Sequence, residues 1–540
     1  MFQIAGCSDK EGIITCESYK SVNKIITLLT YVLLSIFPIF YHNKYFDILS
    51  TKYRFFYMTI ILMALVSMIL VIYFDRKKSL VKDKEKNYII RQYFDKIQLA
   101  DVAMMIFCVI SMISTLLSQF KYESFWGNEG RYSGLFLILI YGLAYFMISR
   151  GVIYSRWLIE AFLVTSMLVC LLGILQYFRI DILGFKERVE EYQYNMFAST
   201  IGNINTYTAY VAMVMGISTV LFARSNSFKS LLWHFFCMVT SFVAMITGLS
   251  DNAYLAIGAL FAFLPLWIFK EKNGLKIYIF IVTLFIYIIY FVNILNQTFP
   301  DHILQMDGIL NNLSGYSSLK FIVAGATFIF ILIHLIDLAR KDKKSYGKEL
   351  KIVWSLILIL FFVVGIYALL DANIAGNGAC YGSLGKYLVF NDDWGTHRGY
   401  IWRIGFESYK DLPFINKIFG NGPDTFGLLT VLKKHSEMLS KYNEYFDSAH
   451  NEYLQYFFTI GPFGLISYIM ILVGSGIKIA INAEKDPYLL SILFAMICYA
   501  VQATVNISVP ITTPLLFILI AIGMAGSRNV EKIKIEDKDE

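Results

Sequence analysis

Residues 448–464 read SAHNEYLQYFFTIGPFG, and within this stretch the chain passes from a polar segment into a long apolar run. The run that begins near residue 452 is long enough to cross a bilayer, because a membrane-spanning helix needs about 20 mostly apolar residues. The stretch therefore predicts a membrane helix whose polar start carries a histidine, His450.

The whole chain shares this apolar character. Of its 540 residues, 57% are apolar and 16% are charged, whereas soluble domains carry about 25% charged residues. We therefore predict an all-α integral membrane protein with about 14 transmembrane helices, in the range 12 to 14. The candidate spans start near residues 25, 55, 101, 133, 157, 204, 230, 253, 277, 319, 352, 452, 488 and 511.

The basic residues predict the orientation, because short loops rich in Lys and Arg stay in the cytoplasm. The segments 75–100 and 340–348 are the most basic. Their cations are Arg76, Lys77, Lys78, Lys82, Lys84, Lys86, Arg91, Lys96, Arg340, Lys341, Lys343, Lys344 and Lys348. With both segments inside, both termini are cytoplasmic and one long polar segment is extracytoplasmic.

The predicted organisation has five parts. They are a cytoplasmic segment (1–24), transmembrane helices 1–11 (25–370), a large extracytoplasmic segment (371–451), transmembrane helices 12–14 (452–526) and a charged cytoplasmic tail (527–540). The first 22 residues lack the short apolar core of a cleaved signal peptide, so we expect the first apolar run to remain as an anchor.

Composition also limits the partners. The net charge of +7 is explained by the basic loops, so we expect no nucleic-acid partner. The seven cysteines form no CxxC pair and no cluster with metal-ligand spacing. Asp392 and Asp393 are paired acids without a third fixed ligand. We therefore expect no disulfides, no metal and no other cofactor.

The polar segment 371–451 is where we expect chemistry, because unusually long loops are commonly functional. Residues 396–411 and 435–446 have helical patterns, and the GNGPDTF sequence at 420–426 predicts a Gly/Pro turn between them.

His450 is a candidate general base, since imidazole titrates near neutral pH. In a continuous helix over 450–472, His450 would share one stripe with Gly461 and Gly464, where a neighbouring helix could approach closely. Pro462 predicts a kink in this helix. The alternative is a histidine at a helix start that only hydrogen-bonds at the membrane interface, with Ser448 or Asp447 as the cap.

The arginines of the polar segment are candidate phosphate ligands, because a guanidinium offers a planar fork of donors that stays charged. Arg398 and Trp402 share a helix face, and Arg403 lies about 140° away from Arg398. The alternative is that these arginines are simply solvated.

Three further polar clusters, at 126–135, 201–210 and 249–259, fall at the outer ends of spans in the predicted topology. Each cluster by itself is also typical of a helix cap or turn. Together they predict a cationic cleft suited to an anionic headgroup, lined by Arg131, Asn203, Asn205, Arg398, Arg403 and His450.

Five short motifs, which occur along the chain in the order expected for the family, resemble the O-antigen ligase and polymerase superfamily of membrane glycosyltransferases. The resemblance covers about residues 125–475. In HN followed by nine residues and GPFG, the matching positions are His450, Asn451, Gly461 and Gly464. The other four motifs are R-x-x-x-W (Arg398, Trp402), G-x-G-P (Gly420, Gly422, Pro423), G-x-x-x-R-x-x-G (Gly127, Arg131, Gly134) and GN-x-N (Gly202, Asn203, Asn205).

The resemblance implies a GT-C-like fold in the cytoplasmic membrane of a bacterium. It implies an inverting, metal-independent transfer of a glycan from an undecaprenyl-pyrophosphate carrier to a glycan or lipid-linked acceptor. It also implies an association with other proteins of envelope polysaccharide assembly. His450 becomes the candidate base and Arg398 the candidate pyrophosphate ligand, with Arg403 and Arg131 in support. One position departs from the family pattern: Asp251 follows Ser250 where many members have arginine.

Three other functions remain open from the sequence. A protein O-oligosaccharyltransferase would share this architecture. A transporter or flippase of lipid-linked oligosaccharide would place ionisable residues deep in spans, where Glu160, His234 and His334 are the candidates. A purely structural envelope protein would explain the spans but not the long polar segment.

Overall fold

The computed structural model describes residues 10–78, 97–304, 319–339 and 347–539. These ranges contain twenty α-helices. In chain order they are α1 (Lys10–Ser35), α2 (Ile48–Lys78), α3 (Leu99–Leu117), α4 (Lys121–Trp126), α5 (Leu135–Gly151), α6 (Arg156–Tyr177), α7 (Ile204–Ala223), α8 (Phe228–Thr247), α9 (Ala253–Phe263), α10 (Pro265–Ile268), α11 (Gly274–Thr298), α12 (Leu319–Ala339), α13 (Gly347–Asn373), α14 (Gly385–Leu388), α15 (Trp394–Lys410), α16 (Phe414–Phe419), α17 (Phe426–Tyr442), α18 (Glu452–Asn482), α19 (Pro487–Gln502) and α20 (Thr513–Asp539). The strand structure in these ranges is one short antiparallel pair, Phe197–Ala198 with Gly202–Asn203.

The prediction of an all-α integral membrane protein is confirmed. In the described part, eleven helices are long and apolar enough to cross a membrane, and two shorter apolar stretches are Leu135–Gly151 and Ala253–Ile268. A helix is present at each of the fourteen predicted positions. However, α1 and α2 begin earlier than the predicted residues 25 and 55, at Lys10 and Ile48.

The bundle is densest around α7, which is buried along nearly its whole length. A Cβ at Gly216 would lie 2.7 Å from backbone atoms of Phe494, so α7 and α19 approach almost to backbone contact. By contrast, α12 and α13 are almost entirely exposed at the edge of the bundle. Their buried residues are Leu319, Val323 and Ala372.

A buried lysine donates hydrogen bonds to the backbone carbonyls of the turn that follows α1. Lys52, on α2, is inaccessible to solvent, and its amine donates to the carbonyls of Phe37 (2.8 Å), Pro38 (2.9 Å) and Phe40 (3.1 Å). A helix end leaves carbonyl groups without partners inside the helix, and lipid cannot supply donors for them. Lys52 therefore joins α2 to the turn that follows α1.

The polar segment between α13 and α18 contains both predicted helices, with different bounds. The second helix is α17, which begins at Phe426 instead of 435 and ends before Asn443, whose left-handed φ of 53° stops it. The first helix is α15, but Gly395, Thr396 and His397 have φ of 61°, 58° and 67°, so its regular part begins at Arg398. The predicted turn at 420–426 lies between α16 and α17.

The kink predicted from Pro462 is confirmed, because α18 is interrupted at Gly461. Gly461 has φ 73° and ψ 178°, a conformation open essentially to glycine alone. A Cβ there would lie 2.2 Å from the carbonyl oxygen of Ile418. The interruption therefore lets the end of α16 pack directly on the backbone of α18.

The predicted continuous helix over 450–472 is wrong. α18 begins at Glu452, and His450 precedes it with a left-handed φ of 46°. Because His450 lies outside the helix and the helix breaks at Gly461, the predicted stripe from His450 to Gly464 does not form.

At the break, the carbonyl of Thr459 binds two donors from other elements. It accepts from the backbone N–H of Gly422 at 2.9 Å and from the hydroxyl of Ser114, on α3, at 3.0 Å. The same serine hydroxyl accepts from the N–H of Gly422 at 2.9 Å. The turn of the polar segment is thus bonded to α3 and α18 together.

Part of the orientation argument lies outside the described residues. The cations outside the described residues are Lys82, Lys84, Lys86, Arg91, Lys96, Arg340, Lys341, Lys343 and Lys344. Residues 1–9 of the N-terminal segment also lie outside them. The orientation and the five-part organisation stay predictions.

Replacing Gly461 by alanine should destabilise the protein, because the backbone there strains any side chain and the Cβ would collide with the Ile418 carbonyl. We expect a loss of at least about 2 kcal/mol, measured as a lower temperature of unfolding in detergent. The matched control is Gly476→Ala in the same helix, where the nearest atom to the new Cβ is 3.7 Å away on Leu493. Equal stability of the two variants would contradict the role of Gly461.

Candidate functional site

The peptide that precedes His450 is held by side chains on both of its faces. The indole Nε1 of Trp402, on α15, donates to the carbonyl of Ala449 at 2.9 Å, and the N–H of Ala449 donates to Gln455 Oε1 at 2.9 Å. The N–H of His450 itself donates to the Ser448 hydroxyl at 3.3 Å. Trp402 therefore positions the backbone of the candidate base.

Asn451 caps α18. Its side-chain oxygen accepts from the N–H groups of Tyr453 and Leu454, each at 3.0 Å, which is the usual function of asparagine at this position. The cap is therefore Asn451, and the alternatives that the sequence offered, Ser448 and Asp447, are wrong.

Arg131 and Asp447 form a bidentate ion pair. Arg131, in the segment between α4 and α5, donates from Nε to Asp447 Oδ2 at 2.9 Å and from Nη2 to Oδ1 at 2.5 Å. Burial raises the pKa of the Asp447 carboxyl, but the hydrogen bonds and the charge of Arg131 outweigh burial and lower it. The pair joins the first polar cluster to the segment that leads to His450.

Asp424 makes a second link to the same cluster. Its buried carboxylate accepts from the backbone N–H groups of Asn128 at 2.7 Å and Ser133 at 3.3 Å. Burial raises the pKa of Asp424 to about 7, although these N–H groups favour the charged carboxylate. The Gly/Pro turn and the segment around Arg131 are therefore fixed relative to each other.

Arg398 lies against two other segments of the chain. Its Nη2 donates to the carbonyl of Val505 at 3.1 Å and to Asn252 Oδ1 at 3.4 Å, and its Nη1 donates to the carbonyl of Gly395 at 2.5 Å. Burial lowers the pKa of the guanidinium, and the negative charge of Asp251 opposes that shift. Among the described residues, the buried Nε has no hydrogen-bond partner, which leaves one donor of the fork uncommitted.

The asparagines of two predicted clusters form one network. Asn205 Oδ1 accepts from the Ser250 hydroxyl at 2.6 Å and from Asn252 Nδ2 at 3.2 Å, and the Asn205 carbonyl accepts from Asn506 Nδ2 at 2.9 Å. Asn203 caps α7 by accepting from the N–H of Asn205 at 2.9 Å. The GN-x-N segment therefore supports the residues that contact Arg398.

Asp251, the position that departs from the family pattern, faces the candidate pyrophosphate ligand. Its charge acts on Arg398, as the charge of Asp447 acts on Arg131 through the ion pair. Each of the two arginines therefore has an acidic neighbour.

His450 lies within the electrostatic reach of both arginines. Burial lowers the pKa of His450, and the charges of Arg398 and Arg131 lower it further, to about 4, against the opposing charge of Asp447. The imidazole is therefore uncharged near neutral pH and can accept a proton. The structure thus brings together three of the predicted site residues.

The glycines of the motifs permit close packing. Gly420 and Gly422 have φ of 78° and 106°. A Cβ at Gly420 would lie 2.0 Å from the carbonyl oxygen of Thr459, and one at Gly422 would lie 2.2 Å from a serine hydroxyl. A Cβ at Gly464 would lie 2.5 Å from an isoleucine of the preceding turn. With Gly461, these residues shape the site without supplying chemical groups to it.

Arg403 lies in an ion-pair network between α15 and α17. Its guanidinium donates to Asp392 at 2.9 and 3.0 Å, to Glu407 at 2.8 Å and to Glu437 at 2.8 Å. The hydrogen bonds that it donates to Asp392 and Glu437 raise the pKa of the guanidinium. The role of Arg403 as a donor ligand stays a prediction.

The paired acids are engaged differently. Asp392 accepts from Arg403 and from Lys441, the latter at 2.6 Å, whereas the Asp393 side chain is 81% exposed and lies 3.8 Å from His397 Nδ1. Across the four described ranges, no group of three His, Cys, Asp or Glu side chains has an arrangement that could hold a metal ion.

A small cavity of about 30 Å³ lies beneath the site. It is lined by residues of four segments, among them Arg131, Ser133, Asp424, Ser448, Gln455 and Ser508. This volume has room for a few water molecules and is too small for a sugar ring.

Sequence reasoning missed two buried acids. Asp424 lies in the predicted Gly/Pro turn and Glu452 follows the HN pair, and the sequence predicts neither as a site residue. Glu452 is buried and accepts from the hydroxyls of Tyr468 at 2.8 Å and Tyr499 at 3.1 Å. An acid beside the HN pair was a visible signal, but its tyrosine partners lie on later turns and another helix, where one-dimensional patterns give no guide.

Comparison with known proteins gives one match. Residues 308–469 match the family model described as O-antigen ligase, and a comparison with curated proteins gave no match. The matched region contains Arg398, Trp402, Gly420, Gly422, His450, Asn451, Gly461 and Gly464. In a multi-pass membrane protein, such a domain supports a role in glycan transfer. Residues 308–469 are therefore similar to the O-antigen ligase family over about a third of the chain.

Proposed function

We propose that this protein transfers a glycan from an undecaprenyl-pyrophosphate carrier to an acceptor hydroxyl at the outer face of a bacterial cytoplasmic membrane. The reaction is inverting and metal-independent, and it polymerises or ligates a cell-surface polysaccharide. The observation that carries the proposal is geometric. Trp402 holds the peptide before His450, and Arg131 pairs with Asp447, three residues before that histidine.

The arginines are assigned to the donor. A lipid pyrophosphate is an activated leaving group, so the protein needs to position it and to stabilise the charge that grows on it as the glycosidic bond breaks. Arg398 contributes the positive charge of its guanidinium, whose Nε is buried and has no hydrogen-bond partner among the described residues. Arg131 can exchange its bidentate carboxylate, Asp447, for a phosphate of similar geometry.

His450 is assigned to the acceptor. Its imidazole takes the proton of the acceptor hydroxyl while that oxygen bonds to the anomeric carbon and the pyrophosphate leaves. A bound pyrophosphate neutralises the two arginines that lower the pKa of His450. The histidine therefore becomes a stronger base when the donor is present.

The ionisable residues inside the spans support an enzyme over a transporter. Glu160 accepts from the Tyr488 hydroxyl at 2.7 Å and from Trp233 Nε1 at 2.9 Å, and it pairs with His234 at 3.1 Å. His334 bonds to the carbonyl of its own helix, at Phe330. Glu160 and His234 cross-link helices, and His334 bonds within its own helix, whereas a transport pathway requires groups that face the substrate.

Replacing His450 by alanine should lower the rate of glycan transfer by about 10²-fold to 10⁴-fold, the usual contribution of a general base. The measurement is formation of the new glycosidic bond from a lipid-linked donor by the purified protein in vesicles. The matched control is His435→Ala, since His435 is a histidine of the same polar segment that bonds to Tyr445. Full transfer by the His450 variant would exclude this base, and movement of labelled lipid without a new bond would indicate a flippase.

Replacing Arg398 by lysine should raise the KM for the donor and leave the KM for the acceptor unchanged, because an ammonium cannot form the bidentate contact. We expect about a tenfold rise, the equivalent of one charge-assisted hydrogen bond. The matched control is Arg403→Gln on the same helix, where the partners are Asp392, Glu407 and Glu437. The assignment fails if both variants bind the donor alike.

The pH dependence should differ between the free protein and its donor complex. A base with a lowered pKa is active above that pKa and loses activity as the pH falls through it. The acidic limb of kcat/KM for the donor should therefore lie at about pH 4. The limb of kcat should lie at least about one pH unit higher, because the bound pyrophosphate raises the pKa of His450. Coincident limbs would contradict this coupling.

A further inference from the structure

Three aromatic side chains beside the site form a partly exposed surface, which we name the aromatic shelf: Phe390, Trp394 and Trp402. The ring centroids of Phe390 and Trp394 are 4.7 Å apart, those of Trp394 and Trp402 are 5.1 Å apart, and those of Phe390 and Trp402 are 6.4 Å apart. The planes are tilted by 57°, 50° and 39°, so the rings touch without burying one another's faces. Phe390 is 48% exposed.

The shelf is held rigidly by its own polar groups. The indole Nε1 of Trp394 donates to the carbonyl of Tyr387 at 2.9 Å, as Trp402 does to Ala449. The N–H of Phe390 donates to Asn373 Oδ1 at 2.8 Å. Because both indole N–H groups are already bonded, the ring surface that remains for a ligand is apolar.

The shelf adjoins both parts of the proposed reaction. Trp402 holds the peptide bond before His450, and Arg398 donates to the carbonyl of Gly395, the residue after Trp394. A molecule that lies on the shelf is therefore close to the candidate base and to the candidate pyrophosphate ligand.

We propose that the aromatic shelf binds a pyranose ring of the glycan, an inference that rests on the proposed function. The C–H groups of one face of a pyranose carry partial positive charge and pack against the negative face of an aromatic ring. The carboxylate of Asp393, which is 81% exposed beside Trp394, can accept hydrogen bonds from the sugar hydroxyls at the edge of such a ring. The same carboxylate repels the phosphate of a lipid headgroup, which favours a sugar over the membrane surface as the occupant.

The test compares Phe390→Ala, Trp394→Ala and Trp394→Phe in the full-length protein. The control is Phe414→Ala, since Phe414 is an exposed aromatic residue of the same polar segment, 78% accessible on α16. One readout is saturation-transfer NMR with oligosaccharides released by mild acid from the surface polysaccharide of the producing strain. The other is the separate KM for the donor and for the acceptor.

We expect both alanine variants to lose the NMR signal of bound oligosaccharide and to raise one KM by about tenfold, while Trp394→Phe retains most of the binding. A rise in the acceptor KM assigns the shelf to the acceptor glycan, and a rise in the donor KM with loss of oligosaccharide binding assigns it to the donor glycan.

Two results would overturn the proposal. The first is unchanged oligosaccharide binding in both alanine variants, and the second is an equal loss in Phe414→Ala. Either result leaves the proposed function intact if His450→Ala is inactive. Conversely, if His450→Ala is fully active while Trp394→Ala no longer binds oligosaccharide, the base assignment fails and the shelf stands.

Discussion

One backbone carbonyl, that of Thr459, fastens the polar segment to the helical bundle. Inside a bilayer every peptide group needs a partner from the protein, and a helix interrupted before a proline cannot supply all of its own. The Thr459 carbonyl takes its donors from Gly422 and Ser114. This junction fixes the turn that carries Gly422. The contacts of Asp424, Asp447 and Arg398 with other segments then fix the chain on both sides of that turn.

The candidate site places two arginines, Arg398 and Arg131, near a candidate base, His450. Burial and the charges of these arginines lower the pKa of His450, and Asp251 and Asp447 moderate the two arginines. In the proposed function, an anionic donor would raise that pKa again and so favour removal of the acceptor proton. Such coupling would tie proton removal to occupancy of the donor site and would limit transfer to unintended hydroxyls.

The sequence was sufficient for features that depend on local pattern. Apolar runs located every predicted helix, and Pro462 located the break in α18. It was insufficient where contacts between distant segments decide the outcome. The three carboxylates that bind Arg403 come from two helices and a turn, and the left-handed backbone of His450 depends on Trp402 and Gln455. Neither arrangement produces a periodic pattern of residues in the sequence.

The edge position of α13 has a mechanical consequence. This helix has 27 residues, a length of about 40 Å, against a hydrocarbon thickness of about 30 Å. Trp354 joins its first half to the bundle by donating to the Ala262 carbonyl at 2.8 Å, whereas its second half has little buried surface and can adjust its tilt to the bilayer. Its last residue, Asn373, is bonded to the N–H of Phe390. We therefore expect the thickness of the surrounding membrane to influence the position of the aromatic shelf.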